Sequence, residues 1–191
     1  MIIELAQGKD KQKIVKLDSH IPLPRLGECI WNGQVYVLKD DSIKNGGQNH
    51  RVKDPVVGVL RYSLFWQTIP FLDLLYIDES YRNRGFGTQM MCEWEKAMAA
   101  RGYKYVMTST QADENAWKFY EKLGYHKVGG FYPPKQETEE WMYVKDLGEY
   151  YSIVIKEQLL CKGRTLCKKD LLTRGTIEEF ERIYKDKIRR E

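Results

Sequence analysis

Two glycines one residue apart, Gly85 and Gly87, stand between a strand-like segment and a long helix-like segment. Residues 71–77 are largely apolar, and 88–100 repeat apolar residues at helical spacing. A chain that passes from strand to helix through glycines presents unpaired backbone N–H groups at the positive end of the helix dipole. This arrangement predicts an anion pocket in which a phosphate group can approach the backbone closely.

A second segment further along the chain strengthens this interpretation. Residues 115–123 form a short amphipathic pattern that places Tyr120 near its end and stops at Gly124. In this order, the two segments resemble the GCN5-related N-acetyltransferase (GNAT) family, whose members bind acetyl-CoA and acetylate primary amines. The resemblance is good over 52–147, loose before it and absent after it. A Rossmann dinucleotide site is disfavoured, because Met90 stands where the third glycine of that motif belongs.

Periodicity and turn residues predict an element order of β-α-α-β-β-β-α-β-α-β-β before residue 147. The predicted strands are 2–5, 34–38, 56–65, 71–77, 105–109, 125–128 and 141–144, and the predicted helices are 10–17, 26–31, 88–100 and 115–123. This order matches the α/β (α+β) fold of the GNAT family, a mixed, mostly antiparallel seven-stranded sheet flanked by helices. We therefore expect a GNAT acetyltransferase domain at 1–147. A helical C-terminal extension at 148–191 would pack on that domain or on a partner.

Composition and charge exclude several classes of protein. The chain has 191 residues, of which 42% are hydrophobic and 30% charged, as in soluble globular proteins. No apolar run approaches the roughly 20 residues that cross a bilayer, and no secretory signal is recognisable. We expect a cytoplasmic protein with no membrane partner.

The net charge of +4 lies in the last part of the chain, because residues 162–191 hold ten Lys or Arg and six Asp or Glu. Such mixed charge argues against a nucleic-acid partner. It does not argue against a homodimer. The four cysteines are not spaced as metal ligands or as a disulfide framework, so no metal is expected.

The resemblance implies acetyl-CoA as co-substrate and assigns residues to it. Loop N–H groups would bind the diphosphate, and the end of the preceding strand would bind the pantetheine arm. The predicted contacts are Leu75, Tyr76 and Ile77 on the strand, and Arg82, Asn83, Arg84, Gly85, Phe86, Gly87 and Thr88 in the loop. Family members usually have Asn seven residues before the tyrosine. That position is Asp113 here, and Asn115 follows it; both are candidates, since Asp cannot donate the usual hydrogen bond.

Acetyl transfer to an amine needs two proton transfers. Alkyl amines titrate near pH ~10.4 and thiols near ~8.5, so a site must help to remove the amine proton and can protonate the leaving sulfur. Tyr120 matches the family tyrosine that serves as general acid; its alternative role is a core aromatic. Asp73, a lone carboxylate in an apolar strand, is the candidate for steering the amine or accepting its proton, the alternative being an ion-paired or solvent-facing residue. Some relatives carry a second carboxylate where Thr108 stands here.

The acceptor pocket is expected from the first two helices, the turn at 66–70 and the loop at 129–140. Its candidate walls are Trp66, Tyr132 and Trp141, and its candidate anionic residues are Glu137, Glu139 and Glu140. The sequence predicts an N-acetyltransferase that transfers acetyl directly to a primary amine, a small molecule being favoured over a protein. The alternative is a catalytically silent acyl-CoA-binding protein that regulates or interacts with a partner.

Overall fold

A computed structural model describes residues 1–41 and 56–148. These residues contain the predicted strands and helices in the predicted order. The strands are β1 (Ile2–Leu5), β2 (Val35–Lys39), β3 (Val56–Phe65), β4 (Ile69–Ile77), β5 (Tyr105–Gln111), β6 (His126–Phe131) and β7 (Glu140–Asp146). The helices are α1 (Lys11–Leu17), α2 (Leu23–Trp31), α3 (Phe86–Ala100) and α4 (Ala116–Lys122). The predicted extension, apart from its first residue, lies outside the described residues.

The seven strands form one sheet in the order β1-β2-β3-β4-β5-β7-β6. Neighbouring strands are antiparallel except β4 and β5, which are parallel. That exception follows from α3, which carries the chain back to the starting end of β4 before β5 begins. The predicted mixed, mostly antiparallel sheet is confirmed. Within the described ranges, no helix combines the length and the hydropathy that spanning a bilayer requires.

Helices cover the sheet on both faces. Side chains alternate along a strand, so β2 directs Val37 toward α1 and α2 and Leu38 toward α3. The first layer buries Ile14 of α1 and Leu26 of α2, and the second buries Trp94 of α3. Helix α4 lies on the same side as α3. The two faces of the sheet are therefore covered by different helices and different side chains.

Two helices begin earlier than the sequence predicts. Helix α2 starts at Leu23 rather than 26, with Pro24 in its first turn. A proline is tolerated there because the N–H it lacks would have no helical partner. Helix α3 starts at Phe86, directly after Gly85, whose φ of 81° is in the left-handed region. Gly87 therefore lies inside the first helical turn rather than before it.

Replacing Gly58 on β3 by alanine is expected to lower the free energy of unfolding by about 1–3 kcal/mol. A Cβ at this position would lie 2.7 Å from Ile77 Cδ1, 3.2 Å from Leu38 Cβ and 3.2 Å from the Tyr76 carbonyl oxygen. The end of the Ile77 side chain can turn away, but the Leu38 Cβ and the Tyr76 carbonyl oxygen are fixed by the backbone, and the strands that carry them would have to shift. Chemical denaturation measures the loss.

Gly129→Ala is the matched control for Gly58→Ala. Gly129 also lies in a strand, but nothing lies within 4 Å of a Cβ built there. We expect its substitution to change the free energy of unfolding by no more than about 0.5 kcal/mol. Equal effects of the two substitutions would show that the close neighbours of Gly58 are not what makes a larger residue costly there.

Candidate active site

The parallel ladder between β4 and β5 is short. It joins Phe71 to Met107 and Leu72 to Thr108, where the Thr108 hydroxyl also donates to the Leu72 carbonyl at 3.2 Å. Within the described residues, 73–77 of β4 and 109–111 of β5 run on without pairing to each other. The sheet therefore opens into a cleft at its centre. We call the Leu72–Thr108 pair, where this cleft begins, the ladder end.

Backbone groups of β4 line the cleft. Asp78 N–H donates to the Val57 carbonyl at 2.8 Å, and Ile77 lies opposite Gly58. In an antiparallel ladder this pattern turns the peptide groups of Ile77 and Leu75 away from β3, and those of Tyr76 toward it. Leu75 thus presents an N–H and a carbonyl to the cleft, as binding of an extended amide-containing arm requires.

The loop after β4 carries the glycines. Asn83 and Gly85 both have positive φ, 58° and 81°, and Gly85 is the N-cap of α3 without a side-chain hydrogen bond. The first N–H groups of α3 therefore point out of the helix. Gly87 lies between two walls of the cleft, since a Cβ there would be 3.6 Å from Phe119 of α4 and 3.9 Å from Leu75. The start of α3 therefore lies next to Leu75 of β4 and Phe119 of α4.

Two arginines flank this loop. Arg82 Nε donates to the Ile77 carbonyl at 2.9 Å, and its guanidinium lies over the Tyr76 ring at 5.3 Å. Arg84 lies over the Tyr81 ring at 5.6 Å. The contacts of Arg82 fix the loop to the end of β4 and already occupy the Ile77 carbonyl, so of the three strand residues Leu75 offers the fullest set of backbone groups.

Tyr120 lies at the ladder end on the α3 and α4 side of the sheet. Its side chain packs against Phe119, Tyr125 and Tyr143, with ring centroids 5.5, 5.7 and 6.4 Å away, and the residue is 8% exposed. Burial raises the pKa of the Tyr120 phenol above its ordinary value, and a hydrogen bond with Thr108 opposes the shift. The phenol therefore stays protonated at neutral pH and is held next to the ladder end.

Asp73 lies on the other side, directly after the ladder end. Its carboxylate accepts from Ser63 Oγ at 2.8 Å and from Arg61 at 3.0 Å. The side chain is only 22% exposed, although the residue as a whole is exposed, because its backbone lines the cleft. Burial raises the pKa of the Asp73 carboxyl, while the Ser63 hydrogen bond and the Arg61 charge lower it and Asp18 raises it further.

The two candidates before α4 have other contacts. Asp113 accepts from Thr138 Oγ1 at 3.2 Å, on the loop between β6 and β7, rather than capping the helix. Asn115 is the N-cap of α4 but makes no side-chain cap bond, and its Oδ1 accepts from Lys118 Nζ at 2.9 Å. Asp113 and Asn115 can therefore bind a ligand at this end of the cleft only if they keep these contacts at the same time or give them up.

The residues proposed as pocket walls do not share one pocket. Trp66 lies in the turn between β3 and β4, before the start of β4, whereas Tyr132 follows β6 near the end of β5, at the opposite end of the sheet. They are 79% and 68% exposed. Trp141 is half-buried against Trp117 and Lys127, and its Nε1 donates to Glu139 at 2.7 Å. Topology separates these aromatics because β4 and β5 run in the same direction.

Comparison with known proteins supports the expected family. A family model described as the Acetyltransferase (GNAT) family matches residues 18–125, more than half of the chain. The chain belongs to the GNAT acetyltransferase family. It is therefore an enzyme of the N-acetyltransferase class. A comparison with curated protein sequences found no match.

Solved structures share the GNAT fold with this chain. An aminoglycoside 6'-N-acetyltransferase complexed with coenzyme A is 18% identical, with a TM-score of 0.62 over 77% of this chain and 97% of that one. The enzyme of that name from Enterococcus faecium is also 18% identical, with a TM-score of 0.61 and the same coverages. A chain of the NatC complex bound to Gag peptide and CoA is 14% identical, with a TM-score of 0.61 over 76% and 97%. At these identities the similarity establishes the fold.

The residues present in this GNAT domain fit acetyl-CoA. The N-terminal N–H groups of α3 are not capped by a side chain at Gly85, no atom lies within 4 Å of a Cβ built on Gly85, and Gly87 lies close to Leu75, whose peptide groups face the cleft. A separate open groove of about 380 Å³ lies between Met1, Leu38 and Cys92. We place the site in the cleft rather than in this groove, because the catalytic candidates and the unpaired backbone groups lie at the cleft.

Sequence reasoning missed two residues of this site. Arg61 and Asp18 form an ion pair at 2.7 Å, and Arg61 also contacts Asp73. Asp18 follows α1 and Arg61 lies in the middle of β3, so no local pattern joins them. The only available signal was a lone arginine within an apolar strand. Like the lone Asp73, it indicates a buried charge that needs a partner.

Proposed function

We propose that this protein transfers the acetyl group of acetyl-CoA directly to a primary amine of a small, cationic molecule. The observation that carries the proposal is the placement of Tyr120 and Asp73 at the ladder end, on opposite faces of the sheet. Tyr120 is buried with the residues of α3 and α4, whereas Asp73 joins Arg61 and Asp18 on the side of α1 and α2. A donor and an acceptor of protons thus flank one point of the cleft.

Each residue has a defined task in this mechanism. The thioester of acetyl-CoA supplies an activated acetyl carbon. Asp73 holds the incoming ammonium and accepts its proton, directly or through water, so that a neutral amine can attack. As the new C–N bond forms and the C–S bond breaks, Tyr120 donates its proton to the departing sulfur and later regains one from solvent. The amine loses its second proton to solvent as the amide forms, and Asp73 then releases the first proton to solvent. The net reaction frees one proton for each thiol formed.

Binding of the co-substrate falls to the backbone. The N–H groups at 86–88 and the left-handed Gly85 suit the diphosphate, since charge-assisted bonds to a helix N-terminus stabilise an anion. Leu75 suits an amide of the pantetheine arm. Arg82, Arg84, Asp113 and Asn115 border this path, and Tyr76 shapes it through its contact with Arg82.

The acceptor is proposed from charge and from the fold's relatives. Asp18 and Asp73 together carry one negative charge more than Arg61 neutralises, which favours a cation at the cleft. Two of the similar structures are aminoglycoside acetyltransferases, and a third binds a peptide. A small polycationic amine is the class we favour, in a protein that acts in the cytoplasm.

An acceptor screen tests the function. We expect acetyl-CoA-dependent thiol release with at least one of four probes: an aminoglycoside, spermidine, a peptide with a free N-terminus and a peptide with a single lysine. The strongest response should come from the first two. Isothermal titration of acetyl-CoA is run in parallel on the full chain.

The two measurements separate the competing functions. Failure to bind acetyl-CoA would overturn the proposal. Binding without turnover on any probe would favour the silent acyl-CoA-binding alternative. A response limited to the peptides would keep the acetyltransferase but replace the small-molecule acceptor by a protein.

A further inference from the structure

The Asp73 carboxylate owes its position to a bulge in β4. The register shifts between Arg61, opposite Leu74, and Tyr62, opposite Leu72, so Asp73 is the extra residue with no partner on β3. A bulge bends its strand and redirects one side chain. Because Leu72 is the last residue paired with β5, the bulge begins where the cleft begins.

A chain of ion pairs holds this bulged residue from behind. Arg61 Nε donates to Asp18 Oδ2 at 2.7 Å, and another nitrogen of the same guanidinium donates to Asp73 Oδ2 at 3.0 Å. Asp18 is fully buried, and a backbone N–H at His20 also donates to it at 3.2 Å. A planar guanidinium reaches the two carboxylates from separate nitrogens in fixed directions, whereas an ammonium would have to direct every hydrogen bond from one nitrogen.

Arg61 and Ser63, both on β3, each donate to a different oxygen of the Asp73 carboxylate, which leaves acceptor capacity on both oxygens for an incoming group. Without a nearby cation, burial of this carboxylate would favour its neutral form, which cannot attract an ammonium group. The bridge to Asp18 keeps Arg61 in place when an incoming cation competes for Asp73.

We propose that Arg61, anchored by buried Asp18, is a positioning residue that keeps Asp73 ionised and aimed into the cleft, and so selects an acceptor that arrives as an ammonium ion. This inference rests on the proposed function. It adds the residues that make Asp73 usable and a charge requirement on the acceptor.

The first test measures Asp73 directly, without acetyl-CoA or amine. The pKa of the Asp73 carboxyl is followed by carbon NMR in the full chain. The charged or titratable groups that face it are Asp18 beyond α1, Arg25 and Cys29 on α2, and Arg61 on β3. Removing a cation raises a carboxyl pKa, so Arg61→Met should raise that of Asp73 by about one unit or more, and Arg61→Lys by less.

Matched controls accompany that measurement. Arg25 is exposed and pairs with Glu28, so Arg25→Met should move the Asp73 pKa by less than about 0.3 units. Should Arg61→Met fail to fold because Asp18 is left unpaired, the double variant Arg61→Met, Asp18→Asn removes both charges. An Asp73 pKa that stays at the wild-type value in Arg61→Met would overturn the proposal. The double variant is compared with Asp18→Asn alone, because both lack the charge of Asp18, and equal Asp73 pKa values in these two variants would also overturn it.

Kinetics with the best amine of the screen form the second test. Arg61→Met should raise the KM for the amine at least about tenfold at pH 7, with a smaller change in kcat and no change in the KM for acetyl-CoA. Arg61→Lys should raise the KM for the amine less than Arg61→Met does, because lysine keeps the positive charge.

Asp18→Asn separates charge from position. The charge of Asp18 raises the pKa of Asp73, so this variant should lower that pKa and yet weaken amine binding, because Arg61 loses its anchor. If Arg61→Met and Asp18→Asn both left the KM for the amine unchanged, Arg61 would not select the acceptor and the proposal would fail. If wild-type protein transfers no acetyl, the proposed function fails, while the NMR titration still decides whether Arg61 controls Asp73.

Discussion

Replacing Tyr120 by phenylalanine is expected to lower turnover by about 10²- to 10⁴-fold while leaving the affinity for acetyl-CoA unchanged. The substitution removes only the hydroxyl, so the ring keeps its packing against Phe119, Tyr125 and Tyr143. What is lost is the proton donor next to the ladder end and its hydrogen bond with Thr108. Thiol release measures turnover, and isothermal titration measures binding.

Tyr125→Phe is the matched control for this prediction. Tyr125 is also buried and also loses one hydroxyl, but that hydroxyl donates to Glu95 at 2.8 Å, away from the ladder end. We expect a loss of stability on the order of 1 kcal/mol and normal turnover. If Tyr120→Phe turned over as fast as the Tyr125 variant, Tyr120 would be a core aromatic and the mechanism would need another acid.

Gly85→Ala should weaken acetyl-CoA binding by about 10- to 100-fold. An alanine at a φ of 81° is strained by roughly 1–2 kcal/mol, and relief of that strain would turn the first N–H groups of α3 away from the diphosphate. Each hydrogen bond to a charged group contributes about 1.5–3 kcal/mol, so misdirecting even one has an effect of this size. Isothermal titration gives the affinity.

Gly33→Ala separates binding from strain. Gly33 has a similar φ of 66°, and again no atom lies within 4 Å of a Cβ built there, but it lies in the turn between α2 and β2. Both substitutions should therefore destabilise the fold to a similar extent in chemical denaturation, and only Gly85→Ala should lose affinity. Parallel losses of affinity in the two variants would argue that the loop glycine has no direct part in phosphate binding.

Much of the fold could be predicted because its signals are local. Alternation along β2, the helical spacing in α3 and the glycine that ends α4, Gly124, each involve residues only a few positions apart. The ends of helices were harder to predict where a residue can either end a helix or lie in its first turn. Pro24 interrupts a helix in most positions but not in the first turn, so α2 begins before it.

The site divides along the same line. Gly85, Gly87 and Tyr120 were predicted from short motifs. The two glycines lie at the start of α3, and Gly87 lies close to Phe119, the neighbour of Tyr120 on α4. The proposed roles of Asp113 and of the aromatic walls depend on which loops meet, which no local motif records. Thr138 contacts Asp113, and Trp66 and Tyr132 lie at opposite ends of the sheet.

The sequence by itself determined the element order, the glycine turn into α3 and the presence of a tyrosine at the end of α4, because backbone conformation and periodicity depend on near neighbours. Only the tertiary structure decided where β4 parts from β5, that a bulge presents Asp73 at that point, and that Arg61 joins it to Asp18. Strand register and ion pairing bring together residues 43 positions apart. Their energy comes from burial that exists only once the sheet has formed.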